Sequence, residues 1–353
     1  MGSDPISYLK WVALLALLIQ NAGLALTMRY SRISHSSDQS YITTTAVFVA
    51  EMIKLVISSI LCFSYDCKLD MNRFKDLLRV EFIDGRKEFF KLFIPSGLYV
   101  IQNNLQYIAT SNLPAEVYQV LANMKIVTTA LFSVMMLGKK QSSLQWFSIL
   151  ALTLGIGIVQ VSQGKDSGKV SGQNKILGLI CVLSGACTSG FAGVYFEKVL
   201  KSTNSSIWLR NIQLAIIGIG FSGITCIASD YEAIKSKGFF FAYDSIVWIV
   251  ILLAASGGLV VAVVVKYADN VLKGFAASAS IVLSCIVSSY IFHDSSITFM
   301  FSFGAFIVCF SAYLYSISPP SPPSIIQNPI ETMDESTPFM SQFKQEQQLV
   351  QKI

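Results

Sequence analysis

Apolar runs of about 19 to 23 residues, bounded by charges or turn residues, recur along the chain from Leu9 to Tyr315. A run of this length, wound as a helix, crosses the ~30 Å hydrocarbon core of a bilayer. The pattern predicts ten spans: 9–28, 42–63, 90–110, 115–137 and 144–162, then 176–199, 207–228, 245–267, 274–292 and 297–316. The expected fold is an all-α polytopic membrane protein. Residues 1–162 would form a first five-helix unit, 163–175 a lumenal linker, and 176–316 a second five-helix unit. Beyond them, 317–353 is rich in Pro, Ser and Gln, and reads as a disordered cytosolic tail.

The two units share a local signature. Ile126 to Leu137 followed by "GKKQSSLQ" and Ile281 to Phe292 followed by "HDSSITF" both read as apolar helix, tight polar turn, apolar helix, 155 residues apart. Five crossings separate them, and an odd number inverts the second copy, as in many secondary transporters whose substrate sits between inverted repeats.

Composition agrees with the pattern. Only 13% of positions are charged, against about 25% in soluble domains. The net charge of +5 is small for a nucleic-acid binder. Its distribution says more. With both termini cytosolic, that side receives seventeen Lys and Arg, including the cluster from Lys68 to Lys91. The lumenal side receives seven: Arg29, Arg32, Lys165, Lys169, Lys175, Lys235 and Lys237. The positive-inside bias therefore favours cytosolic termini. A sequon at Asn204-Ser205-Ser206 would then go unused. The seven cysteines, nearly all within spans and without metal spacing, read as small core residues.

Ionisable and amide groups inside spans are costly, and for that reason are candidates for function. Glu51 and Lys54 form an i,i+3 pair in the second span, explained either by mutual neutralisation or by a site. Tyr99 stands near four carboxamides, Gln102, Asn103, Asn104 and Gln106, which offer donors and acceptors suited to a nucleobase or sugar, or to neighbouring helices. In the fourth span Tyr118 and Lys125 are seven residues apart and share a face. Lys125 has no local counter-charge, so it suits a bound phosphate or an inter-helix pair with Glu51. Lys273, at the start of the ninth span, is either a second cation for a diphosphate or an interfacial anchor. Gly257-Gly258 offers a hinge, a ligand contact or close helix packing.

These residues lie in segments that are similar to a known family: "LTMRYSR" (26–32), "IPSGLYVIQNNLQYIATSNLPAEVYQV" (94–120), "MKIVTTALFSVMMLGKK" (124–140), "GFAGVYFEKVLK" (190–201), "WLRNIQL" (208–214) and "GGLVVAVVVKYADNVLKGFAAS" (257–278). From about residue 8 to 316 the chain resembles the Golgi nucleotide-sugar transporters of the drug/metabolite transporter superfamily, in the branch for UDP-galactose, UDP-N-acetylglucosamine and CMP-sialic acid. The resemblance implies a ten-helix Golgi antiporter that imports a cytosolic nucleotide sugar in exchange for a lumenal nucleoside monophosphate, with no cofactor or metal. A homodimer would be compatible with it. It also implies that Tyr99, Asn103, Tyr118, Lys125, Asn211 and Lys273 line the nucleotide cavity, the lysines toward phosphate or ribose and the others toward the base. Ala215 stands where the CMP-sialic acid branch has tyrosine, and Val261-Ala262 where it has Thr-Ser. "VAVVVKYADN" and "KGFFFAY" look most like UDP-galactose transporters, with the UDP-N-acetylglucosamine type next. Ala122-Asn123 replaces the family's Tyr-Gln.

Two other classes compete. A membrane-embedded enzyme would have to work with only two histidines, His35 and His293, with no H-E-x-x-H motif and no evident Ser/His/Asp set. A channel would show no dependence on a counter-substrate.

Overall fold

The computed structural model describes residues 5–34, 41–113, 115–163, 174–202, 205–292 and 297–317. Most of the expected linker (164–173), both histidines and residues 318–353 lie outside these. The described residues form helices α1 (Pro5–Ser34), α2 (Thr43–Leu61), α3 (Met71–Arg79), α4 (Arg86–Lys91), α5 (Phe93–Asn112), α6 (Ala115–Ala122), α7 (Met124–Leu137), α8 (Ser143–Gln163), α9 (Lys175–Lys201), α10 (Ile207–Lys237), α11 (Ser245–Tyr267), α12 (Asn270–Phe292) and α13 (Phe299–Ile317). Among the described residues nine segments are long and apolar enough to cross a membrane. The protein is thus an all-α, multi-pass membrane protein.

The predicted third span falls on α5, which is 20 residues long but is not one of the nine. Its run of carboxamides makes it the most polar of the predicted spans. The predicted fourth span is interrupted. At Asn123 the i→i+4 ladder gives way to i→i+3 bonds, Asn123 N–H to Val120 O at 3.3 Å and Ile126 N–H to Asn123 O at 3.0 Å, which divides α6 from α7. Tightened turns inside a helix often mark functional sites.

Helix ends follow local chemistry. Asn174, Ser206 and Asp244 cap α9, α10 and α11, each side chain accepting from a backbone N–H two or three residues on. Gly138, at φ +64, ends α7 in the left-handed conformation. Four residues later Ser142 and Gln145 start α8 with a reciprocal box, Ser142 N–H to Gln145 Oε1 at 2.9 Å and Gln145 N–H to Ser142 Oγ at 3.2 Å.

The main helix pairs are α8 with α13, α5 with α9, α2 with α10, α7 with α9, and α1 with both α11 and α12. Small residues permit the closest approaches. A Cβ on Gly304 of α13 would meet the Gly155 carbonyl of α8 at 2.9 Å. The Gly257-Gly258 pair is explained the same way: side chains of Gln20 and Lys54 fill the space where Cβ atoms would stand, at 2.5 and 2.8 Å.

Candidate functional site

The interruption at Asn123 opens onto a cavity of ≈ 220 Å³ between α5, α6–α7, α8, α9 and α12. Gln102 and Gln106 reach it from α5, Tyr118 and Ala122 from α6, Lys125 from the first turn of α7, Gln160 from α8, and Gly185 and Ser189 from α9. Asn123 also lines it, its Nδ2 donating to Gln160 Oε1 at 2.6 Å. Tyr118 is in hydrogen-bond contact with Gln106. The wall is therefore rich in carboxamides, with one phenol and one ammonium.

Lys125 is exposed to this space, and its side chain has no ion-pair or hydrogen-bond partner among the described residues. Glu51 is not its partner. That carboxylate is taken by Lys54, at 2.5 Å, and sits in a notch at Gly218 of α10. Glu51 instead lines a second cavity, of ≈ 300 Å³ between α2 and α10, with Thr43, Thr44, Val47, Ser222 and Thr225. Lys273, in the first turn of α12, lies close enough to Lys125 for the two charges to repel, and it also feels Glu197. Two cations from separate helices thus converge beside an amide-lined space, an arrangement that a phosphate would neutralise.

Of the other predicted site residues, Tyr99 lies one turn before Gln102 on α5, partly exposed and not among the cavity-lining side chains. Asn103 shares that helix, with its side chain outside the described residues. Asn211 is fully buried in α10, its Nδ2 donating to Ile207 O at 3.1 Å and its Oδ1 unpaired among the described residues. Gln160 and Ser189 were not singled out by sequence reasoning. An intramembrane glutamine at the end of "GIGIVQ" was the available signal for the first; a serine in a small-residue run gave none for the second.

Comparisons with known proteins agree with this chemistry. The family model described as nucleotide-sugar transporter matches residues 5–316. A UDP-N-acetylglucosamine transporter of Canis lupus familiaris is 45% identical over 314 residues, covering 88% of this chain and 96% of the relative. A UDP-galactose translocator of Mus musculus is 45% identical over 313 residues, covering 88% of this chain and 78% of the relative. The UDP-N-acetylglucosamine/UDP-N-acetylgalactosamine transporter nstp-4 of Caenorhabditis elegans is 42% identical over 339 residues, covering 93% and 99%. One crystal structure superposes with a TM-score of 0.62 over 89% of this chain and 98% of its own, at 12% identity, a likeness of fold alone. A profile match over nearly the whole membrane domain and relatives at this identity place the chain among transporters, not enzymes: it belongs to the nucleotide-sugar transporter family.

Proposed function

We propose that this protein is a Golgi antiporter that brings a cytosolic UDP-sugar into the lumen in exchange for UMP, with both termini in the cytosol. The observation that carries the reading is Lys125, without a carboxylate partner among the described residues, on a cavity lined by Gln102, Gln106, Asn123 and Gln160, with Lys273 outside that lining but close enough to repel it. The cations suit the phosphates and the amides suit the base or sugar. Tyr118 supplies an aromatic face, and Tyr99, Asn103 and Asn211 complete the proposed nucleotide-binding set.

UDP is common to the names of the relatives, which favours uracil as the base. For the sugar, "VAVVVKYADN" and "KGFFFAY" favour galactose. The dog and nematode relatives favour N-acetylglucosamine as the second reading.

Helix packing supports two inverted repeats as the moving parts. If the first five spans are exchanged with the second five, the α5/α9 pair becomes α11/α1 and the α7/α9 pair becomes α12/α1, while α8/α13 and α2/α10 map onto themselves. A binding site on such a pseudo-twofold is exposed alternately to either side as one repeat rocks against the other. Substrate would favour crossing by neutralising the two lysines, and the empty carrier would be held back by its exposed charge.

The test is exchange in proteoliposomes preloaded with UMP, with labelled UDP-galactose and UDP-N-acetylglucosamine outside. Saturable uptake that requires internal UMP is expected. Uptake undiminished without UMP would favour a channel, and altered substrate inside the vesicles would favour an enzyme.

A further inference from the structure

We infer that a four-charge cluster, in which the half-buried Lys139, Lys201 and Asp269 surround the fully buried Glu197, is a latch that holds one mouth of the substrate passage shut, with Glu197 as its pivot. The inference rests on the transport reading and extends it to residues that must part during exchange.

The local sequence builds the latch. Gly138 stops α7 and the Ser142/Gln145 box starts α8, so the short turn between them is fixed and presents Lys139. Across from it, Glu197 of α9 is fully buried. Its Oε1 accepts from Lys139 Nζ at 2.7 Å and from Lys201 Nζ at 2.8 Å, and its Oε2 accepts from the Asn270 N–H at 2.9 Å. Lys139 also pairs with Asp269 Oδ2 at 3.5 Å, and Asp269 Oδ1 accepts from the Leu272 N–H at 2.7 Å. Lys201 donates to Ala268 O at 2.8 Å. The start of α12 is seated by shape as well as charge, because the Asn270 carboxamide occupies the space where a Gly193 Cβ would stand. A single cluster therefore ties the α7–α8 turn to α9 and to the α11–α12 junction.

Its placement argues for gating. Lys125 lies fourteen residues before Lys139, about 20 Å at ~1.5 Å per residue along α7. Lys273 follows Asp269 by about one helical turn. The cluster thus closes the bundle beyond the proposed phosphate site, on the side that the charge bias assigns to the cytosol. The junction it clamps contains a non-helical residue, Ala268, at φ −115 and ψ −119, where α11 can swing relative to α12.

The chemistry suits a contact that must open and reclose. Two cations and two anions balance, so the closed cluster is neutral. Buried ions need one another, because an unpaired charge in a dry interior is strongly disfavoured. When water enters an opening mouth, the same four groups are satisfied by hydration. Both states are therefore accessible, which an apolar seal would not offer. Lys273 links latch to site, since it is attracted by Glu197 and repelled by Lys125. An anion bound between the lysines draws on Lys273 and so is felt at Glu197.

The experiment begins with a chain lacking its seven cysteines, into which Lys139→Cys and Asp269→Cys are introduced together. A short bifunctional thiol cross-linker is expected to cut UDP-sugar/UMP exchange at least tenfold, and reduction of a cleavable version to restore it, with UMP still raising the melting temperature of the cross-linked protein. Exchange undiminished by complete cross-linking would overturn the latch. If the unsubstituted protein exchanged nothing, the transport reading would fall; exchange by the unsubstituted protein together with exchange undiminished by cross-linking would overturn the latch alone, so the two failures are distinguishable. A second measurement covers a pair that fails to fold. With Ser142→Cys as the sole thiol, Glu197→Gln is expected to speed labelling by an impermeant maleimide at least threefold. Unchanged labelling would mean that the cluster is a static staple.

Discussion

Lys125 in the first turn of α7 lines an amide-rich cavity, and Lys273 in the first turn of α12, outside that lining, lies close enough for the two ammonium groups to repel each other. Two cations held together are unfavourable unless an anion is to sit between them. Charge-assisted hydrogen bonds contribute about 1.5 to 3 kcal/mol each, so Lys125→Ala and Lys273→Ala should each lower exchange about ten- to a hundredfold. The protein should remain folded, and the double variant should lose less than the product of the single losses. Proteoliposome exchange and size-exclusion chromatography measure the two. Full exchange in both single variants would remove the phosphate role from the lysines.

Close helix packing makes a second prediction, about stability. A Cβ on Gly304 would meet the Gly155 carbonyl, the Val159 N and Val159 Cγ2, all at 2.9 Å, and backbone atoms cannot turn aside. Gly220 has nothing within 4 Å of its virtual Cβ. Gly304→Ala should therefore destabilise the protein by about 1 to 3 kcal/mol through overpacking, whereas Gly220→Ala should be neutral or stabilise it slightly, as alanine does in a helix. Melting temperatures in one detergent compare them. Equal values would show that the α8–α13 contact tolerates a wider spacing.

The class of fold and most of its helices were legible because a hydrophobic run of membrane-spanning length has few other uses. Lys125 was legible as a candidate for a related reason: an ammonium with no local counter-charge is conspicuous in an apolar span. The interruption at Asn123 was not. Its residues are helix-compatible, and only the pairing with Gln160 across to α8 identifies what the turn serves. The Glu197 cluster was likewise invisible, because Lys139, Glu197 and Asp269 are separated by many residues and each reads alone as a loop or span-end charge. For Glu51 and Lys54 the i,i+3 spacing revealed the pair, and the structure added the glycine notches that receive it.

Those notches make the Glu51–Lys54 pair testable as architecture. The Glu51 carboxylate fills the place of a Gly218 Cβ and Lys54 that of Gly258, so α2 is keyed into α10 and α11. Removing one member of a fully buried pair costs about 3 to 5 kcal/mol and of this half-buried pair less, while replacing both by apolar residues of similar volume is often neutral. Glu51→Met should accordingly lower the melting temperature sharply, and Glu51→Met with Lys54→Met should recover most of the loss. A double variant no more stable than the single would mean that Lys54 has other dependents in the bundle.

Lys139 and Asp269 hold each other charged over the whole ordinary pH range. Burial favours a neutral lysine, but the Asp269 and Glu197 carboxylates outweigh it and hold the Lys139 ammonium above its usual 10.5. Burial likewise favours a neutral Asp269, but Lys139, the Leu272 N–H, Lys201 and Lys10 hold its carboxyl below its usual 3.8. Among the described residues the Tyr315 phenol also faces these carboxylates, and Lys273 faces Glu197. A raised lysine stabilises the fold fully below its unfolded value and loses that contribution as pH climbs through the folded one. A depressed carboxyl stabilises fully above its unfolded value and loses that as pH falls through the folded one. Between about pH 5 and about pH 9 neither group titrates in the intact protein, but Lys139→Ala removes the largest counter-charge opposing the burial of Asp269, so that carboxyl should rise in the variant and the melting-temperature penalty should shrink as pH falls below neutrality while staying level from neutrality to about 9. Thermal unfolding of both proteins in matched buffers at three values across that window measures it. A penalty equally large at mildly acidic and neutral pH would show that Lys201, Lys10 and the Leu272 N–H hold Asp269 ionised without Lys139.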